Sequence, residues 1–169
     1  MPPPRHPLLA TAWRTLVGAA AAYWLGGTLF YITIVIHTAH RVLGSQREVG
    51  FVTREVTRQL NLIGWAVLAL LLVNLVFEIR RPALNRPAAA RLLLATWLAL
   101  AALHAGLCVL HPRIDRLLDP AAERILDRRA FKGLHNTYMA VTTLQLAAGV
   151  VHLATALRAP AQAGSPPMA

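Results

Sequence analysis

The stretch Gln59–Phe77 reads QLNLIGWAVLALLLVNLVF and contains no charged side chain. Three further charge-free stretches cover residues 15–40, 92–112 and 133–157, so that all 17 basic and 7 acidic residues lie outside these four segments. A helix needs about 20 apolar residues to cross the hydrocarbon core of a bilayer, and a charge at its centre costs at least about 2.5–3.5 kcal/mol. The pattern therefore predicts four membrane-spanning helices.

The predicted fold class is all-α, an integral membrane four-helix bundle formed by one domain. The tails are rich in Pro and Ala, which is typical of flexible segments. We therefore expect a flexible N-terminal tail over 1–12, a transmembrane domain over 13–158 and a flexible C-terminal tail over 159–169. The expected spans are about 14–40, 59–79, 90–111 and 133–158.

Connection one, residues 41–58, carries a helical pattern. Val49, Val52 and Val56 continue into Leu60 and Ile63 at spacings of three and four, which places them on one helical stripe. We expect this segment to lie in the bilayer interface and to run into span two, as an extension of the same helix.

Connection three, residues 113–132, follows the His111-Pro112 end of span three. Pro112 disfavours helical geometry in the residue before it, and Asp119-Pro120 has the pattern of a helix N-cap followed by Pro at the first helical position. Together with Ile125, Leu126 and Phe131, this pattern predicts a second short interfacial helix.

The net charge of +10 does not indicate nucleic-acid binding. The Arg residues lie at span ends and in connections, where membrane proteins place them against lipid headgroups. We expect a multi-pass protein of a bacterial cytoplasmic membrane, with the lipid bilayer and other membrane subunits as its partners. The interfacial anchors that we expect are Trp13, Arg14, Arg80, Arg81 and Arg113.

Span one carries a row of small residues. Gly18, Ala22 and Gly26 recur every four residues, and small residues allow helices in membranes to approach closely. We interpret this face as a helix-packing surface.

Span three carries the clearest candidate for chemistry. His104, Cys108 and His111 have the spacing i, i+4, i+7, which predicts one helical face. Imidazole and thiolate ligands suit copper and zinc, and imidazole also ligates haem iron.

Four further candidate ligands lie at the same end of the bundle. His37 and His40 end span one, while His135 and Met139 begin span four. We therefore predict that any cofactor or metal site lies in the bilayer half beside connections one and three. His152 lies 17 residues beyond His135, or about 25 Å along a helix, and is excluded from that site.

An alternative reading of these residues is purely structural. Histidines near helix ends often contact headgroups, and cysteine and methionine often act as packing residues. His104 differs from the others because an imidazole so deep in a span needs a partner. The cofactor is therefore unknown, with haem and copper as the candidates.

The chain contains no Gly-rich phosphate loop, no HExxH or CxxC motif and no intramembrane carboxylate pair. These absences argue against an enzyme. The first hypothesis is a non-catalytic accessory or structural subunit of a larger membrane assembly. The alternatives are a haem- or copper-binding membrane protein that uses the His/Cys cluster, and a small oligomeric transporter.

Three stretches give the chain a family resemblance. WLGGTLFYITIVIHTAHRVLG (Trp24–Gly44), HPRIDRL (His111–Leu117) and FKGLHNTYMAVTTLQLAAGVV (Phe131–Val151) resemble the DUF4149 or TMEM205-like group of four-span proteins. The resemblance implies a four-helix membrane bundle. The group is distantly similar to the CopD and HemJ membrane proteins, an analogy that favours metal or haem binding.

The resemblance supports the individual candidate residues unevenly. His135 and Arg113 match family positions, whereas His37, His104 and Cys108 do not. The stripe on span three therefore depends on its spacing alone.

Overall fold

The computed structural model describes residues 7–80, 87–119 and 124–161. The expected tails therefore lie partly outside the description, as does Arg81. The elements, in chain order, are α1 (Pro7–Phe30), a π-helical segment (Tyr31–Val35), α2 (Ile36–Leu43), α3 (Gln46–Ile79), α4 (Pro87–Asp115), β1 (Leu118–Asp119), β2 (Arg124–Ile125) and α5 (Arg128–Ala161).

The predicted all-α four-span architecture is confirmed. Four helical segments are long and apolar enough to cross a membrane, and α1, the π segment and α2 together form the first. The helices pack in a ring, with α1 against α3, α3 against α4, α4 against α5 and α5 back against α1. The most extensive of these contacts joins α4 and α5.

The bundle has an apolar outer surface and a partly polar interior. Leu72, Leu98 and Val150 are among many large apolar side chains exposed on the outer faces, while His104 and Gln145 are buried inside. Large exposed apolar surfaces mark membrane contact, and intramembrane polar residues face a bundle interior. This distribution supports the assignment to a multi-pass membrane protein.

One half of the interior is a packed apolar core. It is formed by α1, α3 and α4 through Val17, Ala21, Trp24, Leu25, Val67, Leu68, Leu71 and Leu100. We call this the packed half. The end of the bundle beside connections one and three is built differently and is called the open half.

The chain departs from the expected boundaries at both tails. α1 begins at Pro7, so residues 7–12 are helical although they were expected to belong to a flexible tail. Pro is well suited to a helix start because its missing N–H has no intrahelical partner there. At the other end α5 reaches Ala161, beyond the expected end of span four at 158.

Connection one has the helical structure that its stripe predicts. α2 ends at Leu43, and Gly44 after it adopts the left-handed conformation (φ 62°) that favours glycine. Ser45 then caps α3, and its Oγ accepts a hydrogen bond from the Glu48 backbone N–H at 3.4 Å. From there α3 runs as one helix of 34 residues to Ile79, through connection one and span two.

Span three continues past the proline that was expected to end it. α4 reaches Asp115, with Pro112 inside its last turn. A proline removes its own N–H bond to the preceding turn and crowds the carbonyl there, but its own carbonyl can still accept. The Arg116 N–H bonds the Pro112 carbonyl at 3.2 Å. The helix therefore gains one more turn before it stops.

The short helix predicted for connection three is wrong in the described part of that connection. Leu118 pairs with Ile125, and Asp119 pairs with Arg124, in an antiparallel two-residue ladder. Phe131 belongs to α5, for which Asp127 acts as the cap by accepting from the Arg129 and Ala130 N–H groups at 2.9 Å. Pro120, the predicted first helical residue, lies outside the described residues.

Close helix contacts use different glycines from those that the small-residue row predicted. A Cβ atom on Gly64 would lie 2.3 Å from His104 Cε1, and one on Gly149 would lie 2.6 Å from Leu25 Cδ1. At Gly18 and Gly26 a Cβ atom would meet nothing within 4 Å, and Ala22 is exposed. The face formed by Gly18, Ala22 and Gly26 therefore points away from its own bundle.

Candidate functional site

The open half contains a cavity of about 450 Å³, a volume within the range of small-molecule and cofactor sites. All four spans contribute to its wall. The apolar part of the wall includes Trp24, Ile32, Ile36, Val49, Leu60, Leu107, Ile114, Leu118, Phe131 and Met139. The polar part brings together most of the candidate residues.

Six of the seven predicted site residues line this cavity. They are His37, His40, His104, His111, His135 and Met139. The predicted half of the bundle is therefore the half that contains the cavity. Whether any of these side chains binds a ligand stays a prediction.

The π segment helps α1 and α2 to line the cavity. Trp24, Thr28, Ile32, Ile36 and His40 form a row spaced strictly by four. In a regular α-helix such a row rotates by about 40° at each step, because one turn takes 3.6 residues. The wider π turn between residues 31 and 35 reduces this rotation and keeps the row facing inward.

His104 has the partners that its depth requires. Its Nε2 lies 2.9 Å from the Asn61 carbonyl, which can only accept, so Nε2 is protonated and donates. In this tautomer Nδ1 is an acceptor, and it lies 3.4 Å from the side-chain amide of Gln145, whose NH2 group is the donor available to it. Trp24 and Trp65 contact the ring edge to face. With 1% of its surface exposed, His104 is a bonded core histidine at the inner end of the cavity.

The other candidate histidines lie nearer the mouth. His37, His40 and His135 are exposed, and we call them the rim histidines. His135 stacks on Phe131, with ring centroids 5.9 Å apart. These imidazoles are more accessible to a ligand than His104 is.

An ion pair joins two helices at the mouth. Arg54 Nε of α3 lies 3.0 Å from Asp115 Oδ2 of α4, and His111 Nδ1 lies 3.8 Å from the same oxygen. All three residues line the cavity. The charged side chains of its wall are therefore already paired with one another.

Cys108 is separated from the cavity although it shares a helix with His104 and His111. It is half-buried and does not line the wall. Cys108 lies four residues after His104, and His111 lies seven residues after it. Around the helix axis these two positions are displaced from His104 in opposite directions, so Cys108 and His111 lie about 60° apart. Among the residues that the structure describes, no three His, Cys, Asp or Glu side chains are grouped so that they could hold a metal ion.

Sequence reasoning missed several polar residues of the cavity wall, among them Tyr31, Asn61 and Tyr138. Tyr31 is 93% buried (7% exposed), and its hydroxyl makes no hydrogen bond. Asn61 could have been singled out from the sequence, because polar residues inside charge-free stretches are rare. The importance of Tyr31 depends on its neighbours and is not visible in the sequence.

The opposite end of the bundle uses its polar side chains for helix contacts. Trp13 Nε1 of α1 donates to Asn74 Oδ1 of α3 at 3.1 Å. Arg14 lies 3.4 Å from Glu78, so two expected anchors, Trp13 and Arg14, also join α1 to α3. Arg80 at this end and Arg113 beside connection three, also expected as anchors, are exposed.

His152 lies apart from the cavity, as its distance along α5 predicted. It is buried, and its Nδ1 lies 2.8 Å from Thr96 Oγ1 of α4. This contact gives His152 a structural role between two helices, in the packed half.

Comparison with known families identifies the chain. The family described as "Domain of unknown function (DUF4149)" matches residues 19–123, which is more than half of the sequence, and the chain belongs to that family. The matched region covers most of span one and all of spans two and three, and it ends before His135 and Met139. No curated protein and no solved structure matches the chain.

Proposed function

We propose that this DUF4149 protein is a non-catalytic membrane protein that binds one small lipid-soluble molecule in the open half of its bundle. The observation that carries this proposal is the cavity of about 450 Å³, whose wall draws on all four spans. Ligand sites in proteins are typically apolar concave spaces with a few converging polar groups. The wall of this cavity combines aromatic and aliphatic side chains with imidazole, phenol and amide groups.

Haem is the candidate cofactor that the rim histidines favour. His37, His40 and His135 are exposed, so an imidazole nitrogen there would be available to bind haem iron. His104 is less suited to ligation because its Nε2 donates to the Asn61 carbonyl. Copper has weaker support, since Cys108 lies off the wall and no three-residue ligand group occurs among the described residues.

The test is a purification from native membranes in mild detergent, followed by an absorption spectrum and mass spectrometry of the organic extract. The same protein is then titrated with haemin. We expect one equivalent of a co-purifying molecule or of bound haemin. A preparation that yields no stoichiometric ligand and does not bind haemin or other lipid-soluble probes would contradict the proposal.

A matched pair of variants locates the binding. Gly50 lines the cavity, and a Cβ atom there would meet nothing within 4 Å, so Gly50→Leu adds a side chain at the cavity wall from an unobstructed position. Gly106 is equally open but lies off the wall, so Gly106→Leu is the control. We expect Gly50→Leu to lose the ligand and Gly106→Leu to retain it. Equal retention would place the ligand elsewhere.

An accessory role in a larger assembly is the second candidate. The face of Gly18, Ala22 and Gly26 is uncovered by its own bundle and has the small side chains that allow another helix to approach. Disulfide trapping through Ala22→Cys in native membranes, with Tyr23→Cys as the control, tests this role. Recovery of the trapped variant only as free monomer would count against it.

We also propose that the protein resides in a bacterial cytoplasmic membrane. Fractionation of native membranes tests this location.

The transporter alternative receives less support because the packed half closes one end of the cavity.

A further inference from the structure

Tyr31 is a buried polar group without a hydrogen bond. Among the described residues, its Oη is the buried side-chain nitrogen or oxygen atom that lacks a partner. Thr53 and Thr57 approach it from α3 but make no hydrogen bond with Oη that satisfies distance and angle. A buried hydroxyl that has lost its water without gaining a protein partner is unfavourable, so a buried phenol of this kind calls for a partner.

The neighbouring polar groups are already bonded within the protein. His104 bonds the Asn61 carbonyl and Gln145, while Thr28 and Thr142 bond carbonyls of their own helices. Unlike these groups, the Tyr31 hydroxyl has no partner within the protein, so it is a donor in this part of the wall that a ligand could satisfy. It lies about 9 Å along the helix from His37 on the rim.

The inner part of the cavity suits a neutral group. Arg54 and Asp115 are 3.0 Å apart at the mouth and neutralise each other. The described wall around Tyr31, Trp24 and Thr28 carries no Asp, Glu, Lys or Arg side chain. An ion transferred there would lose its hydration without a counter-charge, whereas a neutral oxygen acceptor needs only one donor.

The apolar part of the wall suits a flat ring. Trp24 and Tyr138 line the inner part and Phe131 the outer part, and aromatic side chains pack well against planar molecules. The surrounding outer surface is apolar, so a ligand with a hydrocarbon chain can extend into lipid.

Building on the proposed function, we infer that the cavity binds a neutral, lipid-soluble ring compound with a carbonyl group, of the quinone class. The Tyr31 hydroxyl donates a hydrogen bond to the carbonyl oxygen of this ligand. The π segment, which begins at Tyr31, places the phenol on the cavity wall. Segments of this kind are frequent at functional sites.

The test titrates the purified protein in detergent with a decyl-substituted benzoquinone and compares wild type with Tyr31→Phe. We expect the affinity of the variant to be about fivefold to tenfold weaker, because one hydrogen bond to the ligand is lost. The stability of the ligand-free variant should be equal or higher, because an unsatisfied hydroxyl is removed. Tyr23→Phe, at an exposed position of the same helix, should change neither quantity.

Two further probes separate this inference from the proposed function. Decylbenzene lacks a carbonyl and should bind wild type and Tyr31→Phe equally. Equal benzoquinone affinity in both proteins, or binding of haemin but not of benzoquinone, would overturn the role of Tyr31 and leave the proposed function standing. Binding of none of the three probes, together with an empty organic extract, would overturn both.

Discussion

The two halves of this bundle use their interior in different ways. In the packed half, Trp24, Leu68 and Leu100 fill the space between helices, and the polar pairs Trp13–Asn74 and Thr96–His152 tie neighbouring spans together. In the open half the same four spans enclose a cavity with aromatic, imidazole and phenol groups. The difference indicates that the packed half holds the spans in place while the open half presents chemical groups to a ligand.

The boundary between the halves lies at Gly64 and His104. The imidazole ring covers Gly64 so closely that no side chain fits there, and Trp24 contacts the same point. Through Nε2 and Nδ1, His104 also links α3 to α5. Substitutions at this contact are therefore the strongest test of the difference between the two halves.

Gly64→Ala should have the largest effect. The added Cβ atom would lie 2.3 Å from His104 Cε1 and 2.9 Å from Trp24 Cε2, both in rigid ring systems. We expect a loss of about 3 kcal/mol in the free energy of unfolding, the upper end of the range for overpacking. Titration of the purified protein with sodium dodecyl sulfate measures this loss.

Gly106→Ala is the matched control for that change, because its Cβ atom would meet nothing within 4 Å. It should be neutral or slightly stabilising, since alanine favours helix more than glycine does. A Gly64→Ala protein as stable as this control would show that the close contact is not required.

The second prediction compares a bonded histidine with a rim histidine. His104→Leu removes the partner of buried Gln145 and should lower the free energy of unfolding by about 1–2 kcal/mol. His135→Leu, at an exposed position, should change it by less than about 0.5 kcal/mol. The same titration provides both values. A loss of unfolding free energy in His135→Leu as large as that in His104→Leu would mean that His135 contributes as much to the stability of the fold as His104 does.

The third prediction concerns the packed half and is the smallest. Asn74→Leu removes the acceptor for Trp13 Nε1 and should cost about 0.6 kcal/mol, the average for side-chain hydrogen bonds between membrane helices. A double-mutant cycle with Trp13→Phe isolates the coupling. Retention of the ligand in Asn74→Leu would confirm that the halves act separately, and its loss would contradict this division.

Much of the site could be placed from the sequence, although its details could not. The positions of His37, His40, His111, His135 and Met139 along their spans were sufficient to locate them at one end of the bundle, because depth in a helix follows from residue number. Depth along a helix does not determine which helix faces contact one another. Cys108 has the same depth as its neighbours but is turned off the wall.

The close-contact glycines show the same limit. Gly18 and Gly26 form a recognisable pattern, yet the bundle leaves them uncovered, while Gly64 and Gly149 have no pattern and meet side chains of other spans. Sequence spacing describes one helix at a time. A close approach depends on the rotation of two helices relative to each other.

By itself the sequence determined the membrane class, the number of spans and the end of the bundle where His37, His40, His111 and His135 lie. These properties follow from the transfer free energies of the side chains in one segment and from the rise per residue along it. No long-range contact is needed to evaluate them. Only the tertiary structure decided that His104 is bonded, that Cys108 is excluded and that the Tyr31 hydroxyl is left without a partner. These outcomes depend on how four helices rotate and pack together, which is a property of their mutual contacts.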